Sequence, residues 1–199
     1  MDDETARVIE AQQGSEEAFT ELVEAYQSHV YNLCYRMLGE PESAEDAAQE
    51  TFLRAYQHLQ RYDGNRPFAT WLLSIAAHYC IDRLRRRRFS FSSLDDEGEW
   101  GAAELPDVDA PNPEDVTVHR ERSRQMQAAI GKLSATDRAA MVLRYWHDCS
   151  EAEIAETLDL SVSAVKSRLH RARRELAGNW QQEEQRPVRE RRPHESPAF

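Results

Sequence analysis

Residues 150–174 read SEAEIAETLDLSVSAVKSRLHRARR, and this stretch decides the fold. Ser150 with Glu153 three residues on has the spacing of a capping box, which opens a helix through Ile154, Ala155 and Leu158. Asp159 and Leu160 turn the chain, and Ser161 caps a second helix. At 3.6 residues per turn Val162, Val165, Leu169, Ala172 and Leu176 make one apolar stripe. Ser163, Ser167, His170, Arg171 and Arg174 fall opposite, with Lys166 at the edge. Two short helices joined by so tight a turn make a helix-turn-helix, whose second helix enters the major groove. Gly178 offers that helix a C-terminal stop. An ordinary helical hairpin with a solvated basic face shares this outline. The serine cap, with hydroxyl and basic residues on one face and aliphatics on the other, favours DNA binding.

Outward from this motif, the 199 residues leave room for two small domains, and 40% apolar content supplies modest cores. No apolar run approaches the roughly 20 residues of a membrane span, and the start MDDETARVIE lacks the features of a signal peptide. Both point to a soluble, cytoplasmic protein without membrane insertion. Cys34, Cys80 and Cys149 are isolated, without metal-ligand spacing, and read as buried reduced thiols. A net charge of −11 suits a DNA binder only because the charge is sorted along the chain. Residues 1–60 set three Arg against thirteen Asp and Glu; residues 61–88 set seven Arg against Asp63 and Asp82. Arg83 to Arg88 are therefore a second DNA-facing candidate.

The first ninety residues carry the helical period, with helices near 4–12, 16–38, 43–60 and 67–87, broken at Gly14-Ser15, Gly39 to Pro41 and Asp63 to Pro67. The last of these is apolar through Phe68, Trp71, Leu72, Ile75 and Tyr79, and again at Leu73, Ala77 and Leu84, which makes it the central helix of its domain. Residues 89–113 hold Ser, Gly, Pro and carboxylates without periodicity and read as an extended acidic linker. Its Phe89, Phe91, Leu94 and Trp100 predict that part of it docks on a surface. Helical pattern resumes at 114 and continues to 178, with Ser134 and Asp137 forming a cap. The polar tail 179–199 reads as disordered. The helix 43–60 is expected to bury Ala48, Phe52, Ala55, Tyr56 and Leu59 and to expose Asp46, Gln49, Glu50 and Arg54. Leu53 projects among these polar groups, as on a solvated helix face or as the apolar anchor of a protein interface.

Three segments together resemble regions two and four of extracytoplasmic-function sigma factors of bacterial RNA polymerase: AEDAAQETFLRAYQHLQRY at 44–62, RPFATWLLSIAAHYCIDRLRRRR at 66–88, and LSATDRAAMVLRYWHDCSEAEIAETLDLSVSAVKSRLHRARREL at 133–176. The resemblance implies an all-α fold of two small helical domains, region two over 1–88 and region four over 114–178, joined by the linker. It implies a non-catalytic initiation subunit without metal or cofactor. Asp46, Gln49, Glu50 and Leu53 would face the β′ clamp helices of core polymerase, and region four would meet the β flap. Arg61, Asn65, Arg66, His78, Arg83, Arg85 and Arg86 would engage the −10 element of promoter DNA. Ser163, Lys166, Ser167, His170, Arg171 and Arg174 would engage the −35 element. The linker would thread toward the active-site and RNA-exit channels, and a cognate anti-sigma factor is an expected partner. His78 stands where family members often carry Asn, and Asp159 replaces the usual turn Gly, a position Asp tolerates. Two other readings of the residues are a stand-alone helix-turn-helix regulator and a helical nuclease. The second lacks a clustered His and carboxylate set.

Overall fold

A computed structural model of the chain describes residues 3–91 and 113–184. Its helices are α1 (Asp3–Gln12), α2 (Glu16–Leu38), α3 (Pro41–His58, closed by a 3-10 turn over Leu59–Arg61), α4 (Phe68–Phe91), α5 (Pro113–Lys132), α6 (Ala135–Trp146), α7 (Glu151–Thr157) and α8 (Val162–Glu184). The described residues contain no strand.

The breaks are local chemistry. Ser15 accepts the Ala18 N–H at 3.2 Å to start α2. Gly39 ends it in the left-handed region at φ 80°, its N–H donating to the Tyr35 carbonyl at 2.8 Å. Pro41 then opens α3, where its missing N–H costs nothing. Asp148 and Asp159 take φ of 50° and 53° at the turns flanking α7, so the left-handed Asp expected between the two motif helices is present.

Within α1–α4, helix α2 packs against each of the other three and holds the central place expected of α4, which packs on α2 and α3. Phe68, Trp71, Leu72, Leu73, Ala76, Ala77, Cys80, Ile81 and Leu84 are all buried, on more than one side of the helix. Helix α3 meets this core through a seam of small residues, Ala44, Ala47, Ala48, Thr51 and Ala55, which brings backbones close together. That seam rotates α3 away from the expected register: Tyr56 is 48% exposed instead of buried, its ring edge-on to Phe19 at 4.9 Å. The cysteines are free and buried, as their spacing suggests.

The second unit, α5–α8, packs against the first, and the buried apolar residues of both form one continuous core. The last carbonyls of a helix lack intrahelical partners, and at the end of α2 the second unit supplies them. Gln127 Nε2 donates to the Tyr35 carbonyl at 3.2 Å and the Arg36 carbonyl at 3.1 Å, and Arg138 Nη1 to the Met37 carbonyl at 2.5 Å. The Arg36 guanidinium lies 4.3 Å from the centre of the Trp146 ring.

Two boundaries differ from the sequence pattern. Helix α4 continues through Phe91 instead of ending before 89, because residues 88–91 include no Gly or Pro. Helix α8 does not stop at Gly178 but runs to Glu184, with Gly178 helical and no proline before 187. The proposed linker from 92 to 112, with Leu94 and Trp100, and the tail beyond 184 lie outside the described residues.

Candidate DNA and polymerase interfaces

The helix-turn-helix is built as its sequence dictates. The Glu153 N–H donates to Ser150 Oγ at 3.2 Å and the Ser150 N–H to Glu153 Oε2 at 2.7 Å, a reciprocal cap that also holds the Glu153 carboxyl below the usual range. Ser161 Oγ accepts the Ala164 N–H at 3.2 Å. Val165, Leu169 and Ala172 are buried against the core, so the opposite face of α8 is turned outward. Ser163, Lys166, Ser167, His170, Arg171 and Arg174 are all exposed there. Val162 departs from the expected stripe and is 41% exposed, because it opens the helix where no neighbour covers it. Lys166 Nζ lies 3.6 Å from Glu151.

Arg168, which the helical projection does not single out, turns inward from this face. Its Nη1 donates to Asp137 Oδ1 at 2.8 Å, and Arg171 approaches the same oxygen at 3.7 Å. Asp137 is buried and accepts from Ser134 Oγ at 2.7 Å, so the start of α6 and the recognition helix share one carboxylate.

On α3, Asp46, Gln49 and Leu53 are exposed and Glu50 partly so. Glu50 accepts from Arg54 at 2.6 Å, and Arg54 stacks over Tyr79 at 4.9 Å. Leu53 is 53% exposed. A separate shallow groove of about 410 Å³ between α2 and α3 is lined by Val23, Gln27, Tyr31, Glu45, Gln49 and Phe52. Burial and the Glu45 carboxylate push the Tyr31 phenol up. An apolar anchor with an acidic rim suits a basic, partly apolar partner.

The third surface joins the loop 61–67 to α4. Tyr62 donates its hydroxyl to the Arg66 carbonyl at 2.6 Å and packs its ring on Phe68 and Trp71. Asp63 accepts the Asn65 N–H at 3.0 Å and Nδ2 at 2.7 Å, bonds that hold its carboxyl below the usual range. Gly64 supplies the positive φ of 75° that closes the turn. Arg61 and Asn65 are exposed, as are Arg85 and Arg86 further along α4. Arg83 is 3.6 Å from Asp46, and Arg87 is 3.2 Å from Glu40, whose carboxyl is held down first by that bond. The arginine run thus reaches back to the acidic start of α3.

Two members of this surface face the second unit. Arg66 lies 3.8 Å from Glu156 of α7, and His78 Nε2 lies 3.4 Å from Asp159 in the turn of the helix-turn-helix. His78 Nδ1 is 2.8 Å from the Ser74 carbonyl, a distance at which it donates. In the docked arrangement these side chains are turned toward carboxylates of the protein itself. Among the described residues no cluster of three or more His, Cys, Asp or Glu is arranged to hold a metal ion, and no helix is long and apolar enough to cross a membrane.

The Sigma-70 region 2 family matches residues 22–90 and the Sigma-70 region 4 family residues 123–176. The ECF RNA polymerase sigma factor SigW of Bacillus subtilis is 40% identical over 174 residues, covering 85% of this chain and 92% of that protein. The RNA polymerase sigma factor CnrH of Cupriavidus metallidurans is 33% identical, covering 86% of this chain and 92% of its own. A solved structure of CnrH in complex with the cytosolic domain of CnrY superposes with a TM-score of 0.65 at 27% identity, covering 91% of this chain and 99% of that one. The two helical units, their order and these relatives together establish that the chain belongs to the extracytoplasmic-function subfamily of the sigma-70 RNA polymerase sigma factors, which direct promoter-specific transcription initiation.

Proposed function

We propose that this chain divides the work of initiation among its three exposed surfaces and carries no catalytic step of its own. Asp46, Gln49, Glu50 and Leu53 bind the β′ clamp helices, and α5–α8 meets the β flap. Arg61, Asn65, Arg66 and His78 read the −10 element, while Arg83, Arg85 and Arg86 hold nearby phosphates. Ser163, Lys166, Ser167, His170, Arg171 and Arg174 engage the −35 element, the arginines supplying bidentate donors for guanine or phosphate. The protein works in the cytoplasm, where polymerase is. A cognate anti-sigma factor would act by covering Leu53 or by holding the two units together.

The observation that carries this reading is Leu53, an aliphatic side chain more than half exposed within an acidic rim, on a helix separate from both basic surfaces. The test is transcription in vitro with core polymerase and a randomised promoter library. The expected result is initiation only when chain and core are combined, on sequences sharing two spaced motifs. Sequence-specific promoter binding by the chain alone, with no effect of added core, would support a stand-alone regulator instead.

A further inference from the structure

The loop 61–67 is short, exposed and bounded by Gly64, yet three candidate −10 contacts depend on its shape. Part of what holds it comes from the far end of the sequence. Gln12 is the last residue of α1, and its side-chain amide reaches across to the exit of α3. Gln12 Nε2 donates to the Leu59 carbonyl at 2.9 Å and to the Tyr62 carbonyl at 2.7 Å, contacts separated by 47 and 50 residues. The return contact is Gln60 Nε2 on the Gln12 main-chain carbonyl, one of the helix-end acceptors that α1 leaves unpaired.

An amide NH2 has two hydrogens fixed in one plane, so two carbonyl acceptors use its full donor capacity and fix both distance and direction. Those carbonyls flank Arg61. From Tyr62 the constraint passes to the other end of the loop, because the Tyr62 hydroxyl donates to the Arg66 carbonyl. Beyond Gln12 the two elements leave a cavity of about 260 Å³ lined by Glu4, Thr5, Val8, Ile9, Tyr62 and Asp63, so side-chain packing there does not replace the two hydrogen bonds. The core anchors of α1 are Val8 and Ala11, not Gln12.

We propose that Gln12 is a positioning residue for −10 recognition: by donating to the Leu59 and Tyr62 carbonyls it sets the loop that presents Arg61, Asn65 and Arg66 to DNA. This rests on the reading of the loop as the −10 reader. Recognition geometry tolerates little displacement, so loosening the loop erodes discrimination before it erodes binding.

The test uses holoenzyme made with Gln12→Met, which keeps side-chain length and removes both donors, and with Gln12→Lys, which keeps a donor. Each is assayed on a −10 variant panel with a fixed −35 element and on a −35 panel with a fixed −10 element. Gln12→Met is expected to reduce the preference for the best −10 sequence about tenfold, the worth of about one base-reading contact. The −35 preference and core affinity should stay at wild-type values, the melting temperature should fall by no more than the few degrees that two lost hydrogen bonds cost, and Gln12→Lys should recover part of the loss. A merely structural role would move both panels together. If Asn65→Ala and Arg66→Ala lose −10 discrimination while Gln12→Met retains it, the positioning role is overturned. If all three variants retain it, the loop is not the reader and the inference falls with that reading.

Discussion

Lowering the pH should loosen the docking of the two helical units, and His147 is the group that sets the effect. It follows α6 and lies 6.3 Å, ring centre to ring centre, from His29 of α2. Both of its ring nitrogens are buried without a hydrogen-bond partner. Burial first, then the His29 and Arg36 charges, lower its pKa from 6.5 to about 4, with Asp148 acting the other way. The docked form therefore holds a neutral ring, while a form that exposes His147 titrates near 6.5. Above that pH both forms are neutral and the group contributes no pH dependence. Between 6.5 and about 4 the exposed form binds a proton that the docked form refuses, so stability falls with pH at up to about 1.36 kcal/mol per unit. From pH 6.5 to 5 the loss comes to about 2 kcal/mol. His147→Phe keeps a ring, removes the proton site and leaves no buried nitrogen unpaired, so at neutral pH it should be at least as stable as wild type. The assay is urea unfolding of both proteins at several pH values from about 7.5 to 5. The wild-type curve should fall away from that of His147→Phe below about 6.5, and parallel curves throughout would refute the assignment.

Three further outcomes are expected. Leu53→Asp should weaken core-polymerase binding by about 2 kcal/mol or more, because a charge replaces a desolvated anchor; equilibrium binding to core checks it, and undiminished affinity in a protein of wild-type melting temperature would refute the interface. Glu156→Arg combined with Asp159→Asn, which keeps the left-handed turn, should raise the affinity of the free protein for single-stranded −10 DNA about threefold, since exposed pairs are each worth only about 0–1 kcal/mol; fluorescence anisotropy reads it, and an unchanged constant would show that docking does not compete with DNA. Arg171→Ala should cost about 1–3 kcal/mol on the preferred −35 sequence and flatten discrimination, whereas Arg174→Ala should weaken all variants alike and lower the salt slope by about one; holoenzyme binding to a −35 panel at several salt concentrations separates them, and two silent variants would remove the functional meaning of the exposed face.

What was legible in the sequence is what neighbours along the chain decide. The Ser150–Glu153 box, the Ser161 cap, the left-handed Asp159 and the exposure of Lys166, His170 and Arg171 follow from spacing within one or two turns. The orientation of α3 was less accessible, because its small residues set the contact and apolar size alone wrongly placed Tyr56 inside. Val162 has the right phase for burial but no neighbour to cover it. The inward turn of Arg168 depends on a carboxylate 31 residues away, and the Gln12 bridge on carbonyls about fifty residues away. The single shared core was hidden for the same reason: Gln127 and Arg138 read as ordinary polar residues until the carbonyls of Tyr35, Arg36 and Met37 are placed beside them.

Capping of α2 by the second unit also bears on how the free factor meets DNA. Separating the units would exchange the bonds to those helix-end carbonyls for water, the Tyr35 carbonyl keeping the Gly39 N–H, so any preference for the docked form lowers the open fraction. Every 1.4 kcal/mol of that preference reduces the DNA-competent fraction tenfold. A chromosome offers about 10⁶–10⁹ nonspecific sites, and a chain whose Arg66 and His78 were freed from Glu156 and Asp159 would offer them two more contacts. In the docked arrangement Arg66 and His78 face Glu156 and Asp159 while the polar face of α8 stays exposed. Closure is thus expected to lower the affinity of the free factor for the −10 element while leaving the α8 face available.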